Sequence, residues 1–319
     1  MRTIASMNRA VLFLSFFLLI PGLAACEYIN KETMPSSSES TGKPEITIGS
    51  KSHTEQRLLM KITSLLLSEH GFSVNEISFR GSLSIRSALE EGVIDQYWEY
   101  PNTARIYYHH QLPIYDSDAA FQTVSKEDQT KNIIWLPGID LNSTWVLLIK
   151  KELAKQYSIK TISDFARYAQ DHKIKMATNE EFLVREDGLG NLEQAYHFSI
   201  DRNNVITVES LLLPRAVNES RVDVAVGIVS DSHIKAYNLT VLEDDQHVFP
   251  PYHPAPVIRG KKLKDYPQIA EILNQLTEKI DDKEIMDMIY QVEVLHKDLV
   301  EVAQDFLVET GLIQNDEIE

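Results

Sequence analysis

Apolar positions along this chain repeat with two periods that take turns. Glu45-Ile46-Thr47-Ile48-Gly49 alternates at period two, the spacing of a short strand. From Arg57 the apolar residues Leu58, Leu59, Ile62, Leu65, Leu66 and Leu67 fall at helical spacing, and the glycine of His70-Gly71 supplies the stop. A second strand is expected near Ile77 to Phe79, a helix from Gly81-Ser82 to Glu91-Gly92, and a third strand opening at Val93-Ile94-Asp95. The two rhythms return after residue 145. Trp145 to Ile149 reads as a strand, Ile162 to Ala169 as a helix introduced by Thr161-Ile162-Ser163-Asp164, and Val222 to Val226 as a buried strand. From Asp265 to Gly311 the pattern turns helical, carried by residues such as Ile269, Ile272, Leu273, Leu276, Ile285, Met288, Ile289 and Leu307. Strands that alternate with helices predict an α/β fold with largely parallel sheets. The last helices are expected to pack back on the part of the chain that comes first.

The first 44 residues do not share this pattern. Arg2 and Arg9 precede a largely apolar run from Ala10 to Ala25, the order of an export signal. The run is shorter than a membrane-spanning helix and is broken by Ser15, Pro21 and Gly22, so residues 1–25 read as a removable signal peptide. Leu23-Ala24-Ala25-Cys26 closes it and resembles the lipobox of bacterial lipoproteins. That resemblance implies acylation of Cys26, with about 0.8 kcal/mol of membrane affinity per buried methylene. Cys26 is the one cysteine of the chain, so no disulfide can form within it. Residues 26–44, rich in serine with two prolines, read as a flexible linker.

The formal net charge is -16, and loss of Arg2 and Arg9 with the signal would take it to -18. Such acidity argues against nucleic acid and anionic lipid as partners and is compatible with a cationic or zwitterionic ligand. Catalytic signatures are missing: the chain has no Gly-x-Ser-x-Gly elbow, no His-Glu-x-x-His and no phosphate loop. His109-His110 is the only adjacent histidine pair, and neighbours in sequence diverge on a strand or a helix, so it reads as solvated surface and no metal ligands are assigned. The expectation is a binding protein and not an enzyme, with no cofactor.

Six segments narrow this further: Ile48-Gly49-Ser50-Lys51 with Thr54-Glu55-Gln56; Glu91-Gly92-Val93-Ile94-Asp95-Gln96-Tyr97-Trp98-Glu99-Tyr100 followed by Thr103-Ala104; Leu141-Asn142-Ser143-Thr144-Trp145; Arg185-Glu186-Asp187-Gly188; Val222-Asp223-Val224-Ala225-Val226; and Leu242-Glu243-Asp244-Asp245 with Phe249-Pro250-Pro251-Tyr252. In order and spacing, over residues 46–311, they resemble the substrate-binding lipoproteins of bacterial ABC importers for glycine betaine, choline and related osmoprotectants. The resemblance implies a two-lobed, periplasmic-binding-protein-like (type II) α/β fold. Residues 46–144 and 251–319 would form lobe 1 and residues 145–250 lobe 2, with two crossovers between them. It also implies a small solute such as glycine betaine, choline or carnitine in the cleft, an ABC permease and ATPase as partners, and a lipid-anchored, extracytoplasmic location.

A quaternary ammonium has no N–H to donate, so its site must use the negative faces of aromatic rings, each contributing about 0.5 to 2 kcal/mol. Tyr97, Tyr100, Trp145 and Tyr252 are the ring candidates. Lys51, Thr54, Gln56, Asn142, Thr144 and Arg185 are the candidates for clamping a carboxylate, and Asn102 and Thr103 join the site through the matched second segment. Thr54 and Gln56 open a predicted helix, whose free amides favour an anion. The chain departs from the family where a cage tyrosine is usual, since Gly227-Ile228-Val229-Ser230-Asp231-Ser232 puts Ile228 in its place. Trp145 also stands where tyrosine is common, and Pro101-Asn102 where Thr-Gly is common. These departures leave open a different small solute, amino-acid-like or amine, and a non-transport sensor of the same fold. A metal-uptake lipoprotein is a minor alternative.

Overall fold

Ile46 and Ile48 point to the same side of the first strand and are fully buried, and the helix that follows covers them with Leu58, Leu59, Ile62 and Leu66. This strand-and-helix unit lies at the start of the computed structural model, which describes residues 42–314. The expected signal 1–25, Cys26 and the linker up to residue 41 lie outside the described residues. The helix, α1 (Thr54–Glu69), ends where the sequence placed its stop, with His70 as its cap and Gly71 at φ +87°. The next, α2 (Ser82–Glu91), closes on Gly92 at φ +79°.

Ten strands lie among the described residues: β1 (Glu45–Lys51), β2 (Ser73–Phe79), β3 (Gln96–Glu99), β4 (Ile133–Trp135), β5 (Trp145–Lys150), β6 (Met176–Thr178), β7 (Val205–Thr207), β8 (Val224–Ile228), β9 (Leu239–Leu242) and β10 (Ala255–Arg259). They form two five-stranded sheets, in the orders β2-β1-β3-β10-β4 and β7-β6-β8-β5-β9. In the first, β2, β1 and β3 are parallel, and β10 runs antiparallel to both β3 and β4. The second repeats the plan: β7, β6 and β8 are parallel, and β5 runs antiparallel to both β8 and β9. The sheets are therefore mixed, which corrects the expectation of largely parallel ones. In each, one strand enters against the grain of the parallel three.

Two strands also start later than their apolar runs do. The Val93 and Ile94 amides both bond the Ala88 carbonyl, finishing α2, so β3 opens only at Gln96. The Asp223 and Val224 amides both bond the Lys175 carbonyl, and β8 runs from Val224 to Ile228.

Each sheet has its own core. The helices Gln268–Thr277, Asp282–Glu293 and Leu299–Glu309 pack with α1 on one face of the first sheet, as the pattern of their apolar residues foretold. Ile85, Leu89, Tyr97 and Val257 fill the other face. A separate core around Leu147, Phe165, Phe182 and Val224 belongs to the second sheet. The chain leaves the first sheet after β4 and returns at β10, and all strands of the second lie between. The outgoing and returning segments are bonded to each other. The Ser143 amide donates to the Tyr252 carbonyl at 2.9 Å, the Tyr252 amide to Asn142 Oδ1 at 2.9 Å, and Thr144 Oγ1 to the Pro250 carbonyl at 3.0 Å. No helix among the described residues is long and apolar enough to cross a membrane.

Candidate functional site

Strand β3 is buried on both faces, so its alternating side chains enter two cores: Tyr97 one, Trp98 the other. One residue past its end the chain reaches open space, and there Tyr100 faces a cavity of about 820 Å³ between the two lobes. The Tyr100 hydroxyl is fixed from three sides. It donates to Glu55 Oε1 at 2.7 Å, accepts from Gln56 Nε2 at 3.1 Å and lies 3.1 Å from His53 Nε2.

A π-helical turn, Ala104–Tyr108, follows. Its two adjacent rings, stacked with centres 6.2 Å apart, take different partners: Tyr107 lines the cavity, while the Tyr108 hydroxyl reaches Glu99 Oε2 at 2.5 Å and the Ser82 carbonyl at 2.9 Å. From the second lobe comes Trp145, at the first position of β5, with its ring 5.2 Å from that of Phe182. Tyr252, on the returning crossover, meets Tyr100 edge to face at 6.2 Å.

Charge is arranged in buried pairs around these rings. Lys51 Nζ lies 2.6 Å from Glu99 Oε1, with side chains 6% and 0% exposed, and 5.0 Å from the Tyr100 ring centre. Arg185 grips Asp187 with two bonds, Nε to Oδ1 at 2.8 Å and Nη2 to Oδ2 at 2.9 Å. Its guanidinium carbon stands 5.2 Å from the Tyr107 ring centre and 5.8 Å from that of Tyr252. Nη1 points to Thr103 Oγ1 at 3.4 Å, and the Tyr252 hydroxyl donates to Asp187. Burial alone would raise the Asp187 carboxyl, but the Arg185 guanidinium outweighs it and holds Asp187 below the usual carboxylate range.

Glu55, 2% exposed, receives the Ser143 hydroxyl at 2.6 Å and the Ser230 hydroxyl at 2.9 Å as well as Tyr100, tying α1 to the outgoing crossover and to the second lobe. Burial pushes its carboxyl up despite these bonds. His53, half-buried at the cavity wall, is held down to about 3, first by loss of water around it and then by the Lys51 charge, so its ring is neutral.

Of the residues singled out from sequence, Lys51, Tyr100, Thr103, Trp145, Arg185 and Tyr252 converge on the cavity. The others stand behind it or elsewhere. Tyr97 is fully buried in the core and does not reach the cleft, which corrects its expected place among the rings. Gln56 is 1% exposed and serves the Tyr100 hydroxyl, while Thr54 borders a second, smaller cavity of about 30 Å³. Asn102 clamps chain to chain through the Ile114 and Pro251 carbonyls, each at 2.9 Å, because Pro101-Asn102 opens a buried turn. Asn142 and Thr144 hold the crossovers together instead of facing a ligand.

The sequence reading missed Tyr107, Glu181, Arg80 and Glu209, all in the cavity wall. The Tyr107-Tyr108 doublet, two residues beyond the matched Thr103-Ala104, was the available signal for the first. Nothing local distinguished the others from surface charge.

The paired histidines are split. His109 Nε2 bonds Asp128 Oδ1 at 3.0 Å, and His110, largely exposed, lies 3.5 Å from Glu186. A different histidine gathers carboxylates: His233 Nδ1 is 3.1 Å from Asp231 Oδ1 and 3.2 Å from Glu293 Oε2. The hydrogen bond to Asp231, then the Glu293 carboxylate close by, raises His233 to about 9. At neutral pH its ring is therefore a cation that joins the second lobe to the helix Asp282–Glu293.

Two α/β lobes, joined by a doubled crossover and parted by a cavity of tyrosines and buried ion pairs, define the class: a two-lobed solute-binding protein. The chain belongs to the family described as the substrate binding domain of ABC-type glycine betaine transport systems, which matches residues 44–309. It is 30% identical over 316 residues to a Pseudomonas aeruginosa protein named glycine-betaine-binding protein, covering 97% of each chain. It is 33% identical over 271 residues to the Helicobacter pylori ergothioneine transport permease/ergothioneine binding protein EgtU, covering 84% of this chain and 48% of that one. Among solved structures, one described as a glycine betaine/carnitine/choline ABC transporter superposes with a TM-score of 0.67 at 26% identity, covering 84% of this chain and 99% of the other.

Proposed function

We propose that this chain is the exported, lipid-anchored receptor of an ABC importer, carrying a small zwitterionic osmolyte with a quaternary ammonium group, of the glycine betaine or carnitine type. The observation that carries the proposal is the meeting, in one inter-lobe cavity, of Tyr100, Tyr107, Trp145 and Tyr252 with the Lys51 and Arg185 cations. The rings would face the ammonium. Lys51, Thr103 and Arg185 would face the carboxylate, and Thr54, Gln56, Asn102, Asn142 and Thr144 would hold the lining in place. In this reading lobe 1 is 46–144 with 251–319, lobe 2 is 145–250, and Cys26 carries the acyl chains outside the cytoplasm. A permease and an ATPase then receive the closed, loaded form.

The relative that is an ergothioneine binding protein supports a second reading, a bulkier betaine bearing a ring. A cavity several times the volume of glycine betaine favours it. Native mass spectrometry of solute retained from expression, followed by calorimetry with glycine betaine, carnitine, choline, ergothioneine and amino acids, tests both. Binding confined to solutes without a quaternary ammonium would overturn both.

A further inference from the structure

One carboxylate of the cavity wall reaches across the cleft to the opposite lobe. Glu181, in the short helix Glu180–Val184, reaches from the second lobe to the amino end of α2 in the first. Its Oε1 accepts from the Ser82 backbone N–H, and its Oε2 accepts from the Ser82 hydroxyl at 3.1 Å. The helix cap before it, Gly81, has no side chain to offer these donors. Arg185, 2% exposed, brings Nη1 to 3.8 Å from Glu181 Oε2. The seat is also shaped to fit: a Cβ on Gly81 would stand 2.7 Å from Glu181 Oε1. At φ -159° any residue could adopt this backbone, so what glycine provides here is room for the carboxylate.

We propose that Glu181 is a built-in stand-in for the carboxylate of the solute. Without ligand it spans the cleft and takes up a helix-terminal amide, a hydroxyl and the edge of a buried guanidinium, and an arriving carboxylate displaces it. An arriving carboxylate and Glu181 both call on the Arg185 guanidinium, and two carboxylates cannot crowd it at contact distance because like charges there repel. A solute with a carboxylate must therefore first break the charge-assisted bonds of Glu181. A cation without one, such as choline, leaves them intact. Glu181 thus sets the preference between zwitterions and simple cations, an inference that rests on the cavity being an osmolyte site.

Two variants disturb the seat from opposite lobes: Glu181→Ala removes the carboxylate, and Gly81→Ala fills its place while keeping the charge. Calorimetry with glycine betaine and with choline should show betaine binding about tenfold tighter in each variant. Choline should change less than about threefold, and the double variant should gain no more than either alone. Weaker betaine binding in both variants would overturn the proposal by making Glu181 a clasp that assists the ligand, and so would an equal gain for both solutes. If the unaltered protein binds neither solute, the osmolyte reading fails, and Glu181 is judged on the ligand-free protein. Spin labels, one on each lobe, should then move apart in both variants; unchanged distances would overturn the role assigned to Glu181.

Discussion

Trp145 and Ile228 sit directly opposite each other in the antiparallel register of β5 and β8, and both line the cavity. The two positions where the family resemblance led one to expect tyrosines are thus neighbours, and the indole of Trp145 stands beside the aliphatic Ile228. Trp145→Ala should weaken ligand binding about tenfold, measured by calorimetry. Tyr97→Ala should instead cost about 3 to 5 kcal/mol of unfolding free energy through a core cavity, with little change in affinity per folded molecule. Ile228→Tyr alone should crowd the indole. Joined with Trp145→Tyr it should recover affinity, with a coupling of about 0.5 to 3 kcal/mol in the double-mutant cycle, and strictly additive effects would disprove the pairing. That Tyr100 and not Tyr97 meets the cavity was beyond the sequence. Both lie in one matched segment, and their fates divide on the phase of β3, whose start the Ala88 and Thr47 carbonyls fix by capturing the amides of residues 93 to 95. Arg185 was legible as a clamp, but its pairing with Asp187 two residues on was not, since i and i+2 meet only because this loop bends.

Helix ends were readable because their causes are local. Gly71 and Gly92 adopt left-handed backbone, and Thr161 and Asp164 form the capping box their spacing suggested, each satisfying a backbone N–H of the other. Strand direction was not readable, since whether β5 and β10 run with or against their neighbours depends on how the chain re-enters each sheet.

Elements of the two lobes also meet through a titrating contact, the His233 imidazole between Asp231 on its own turn and Glu293 at the end of the helix Asp282–Glu293. Its folded value, about 9, lies above the free value of 6.5, so the stabilisation is complete below about pH 6.5 and disappears as pH rises through about 9. Thermal unfolding between pH 6 and 10 should lose on the order of 2 kcal/mol across that window, a magnitude trimmed for partial solvent access. His233→Gln should flatten the profile.

At the scale of the molecule, the second sheet is built from one uninterrupted stretch of chain, whereas the first must wait for β10 and the last three helices. Its core is separate as well. A fragment of residues 145–250 should therefore show a cooperative unfolding transition by circular dichroism, while residues 46–144 alone should not. Absence of a transition in the former would mean that the lobes depend on each other for stability. In the whole protein, a solute at 100 times its Kd should add about 2.7 kcal/mol of stability, visible as a rise in melting temperature.

The doubled crossover restricts what such a molecule can do. A single tether would let one half roll and twist against the other, and solutes of many lengths could each find some shut arrangement. With residues 142–144 laced to residues 250–252, rotation is left essentially one axis, like a lid on two pins. Every admitted solute must then be compatible with the same final geometry, and the importer has a single outline to recognise whatever lies inside.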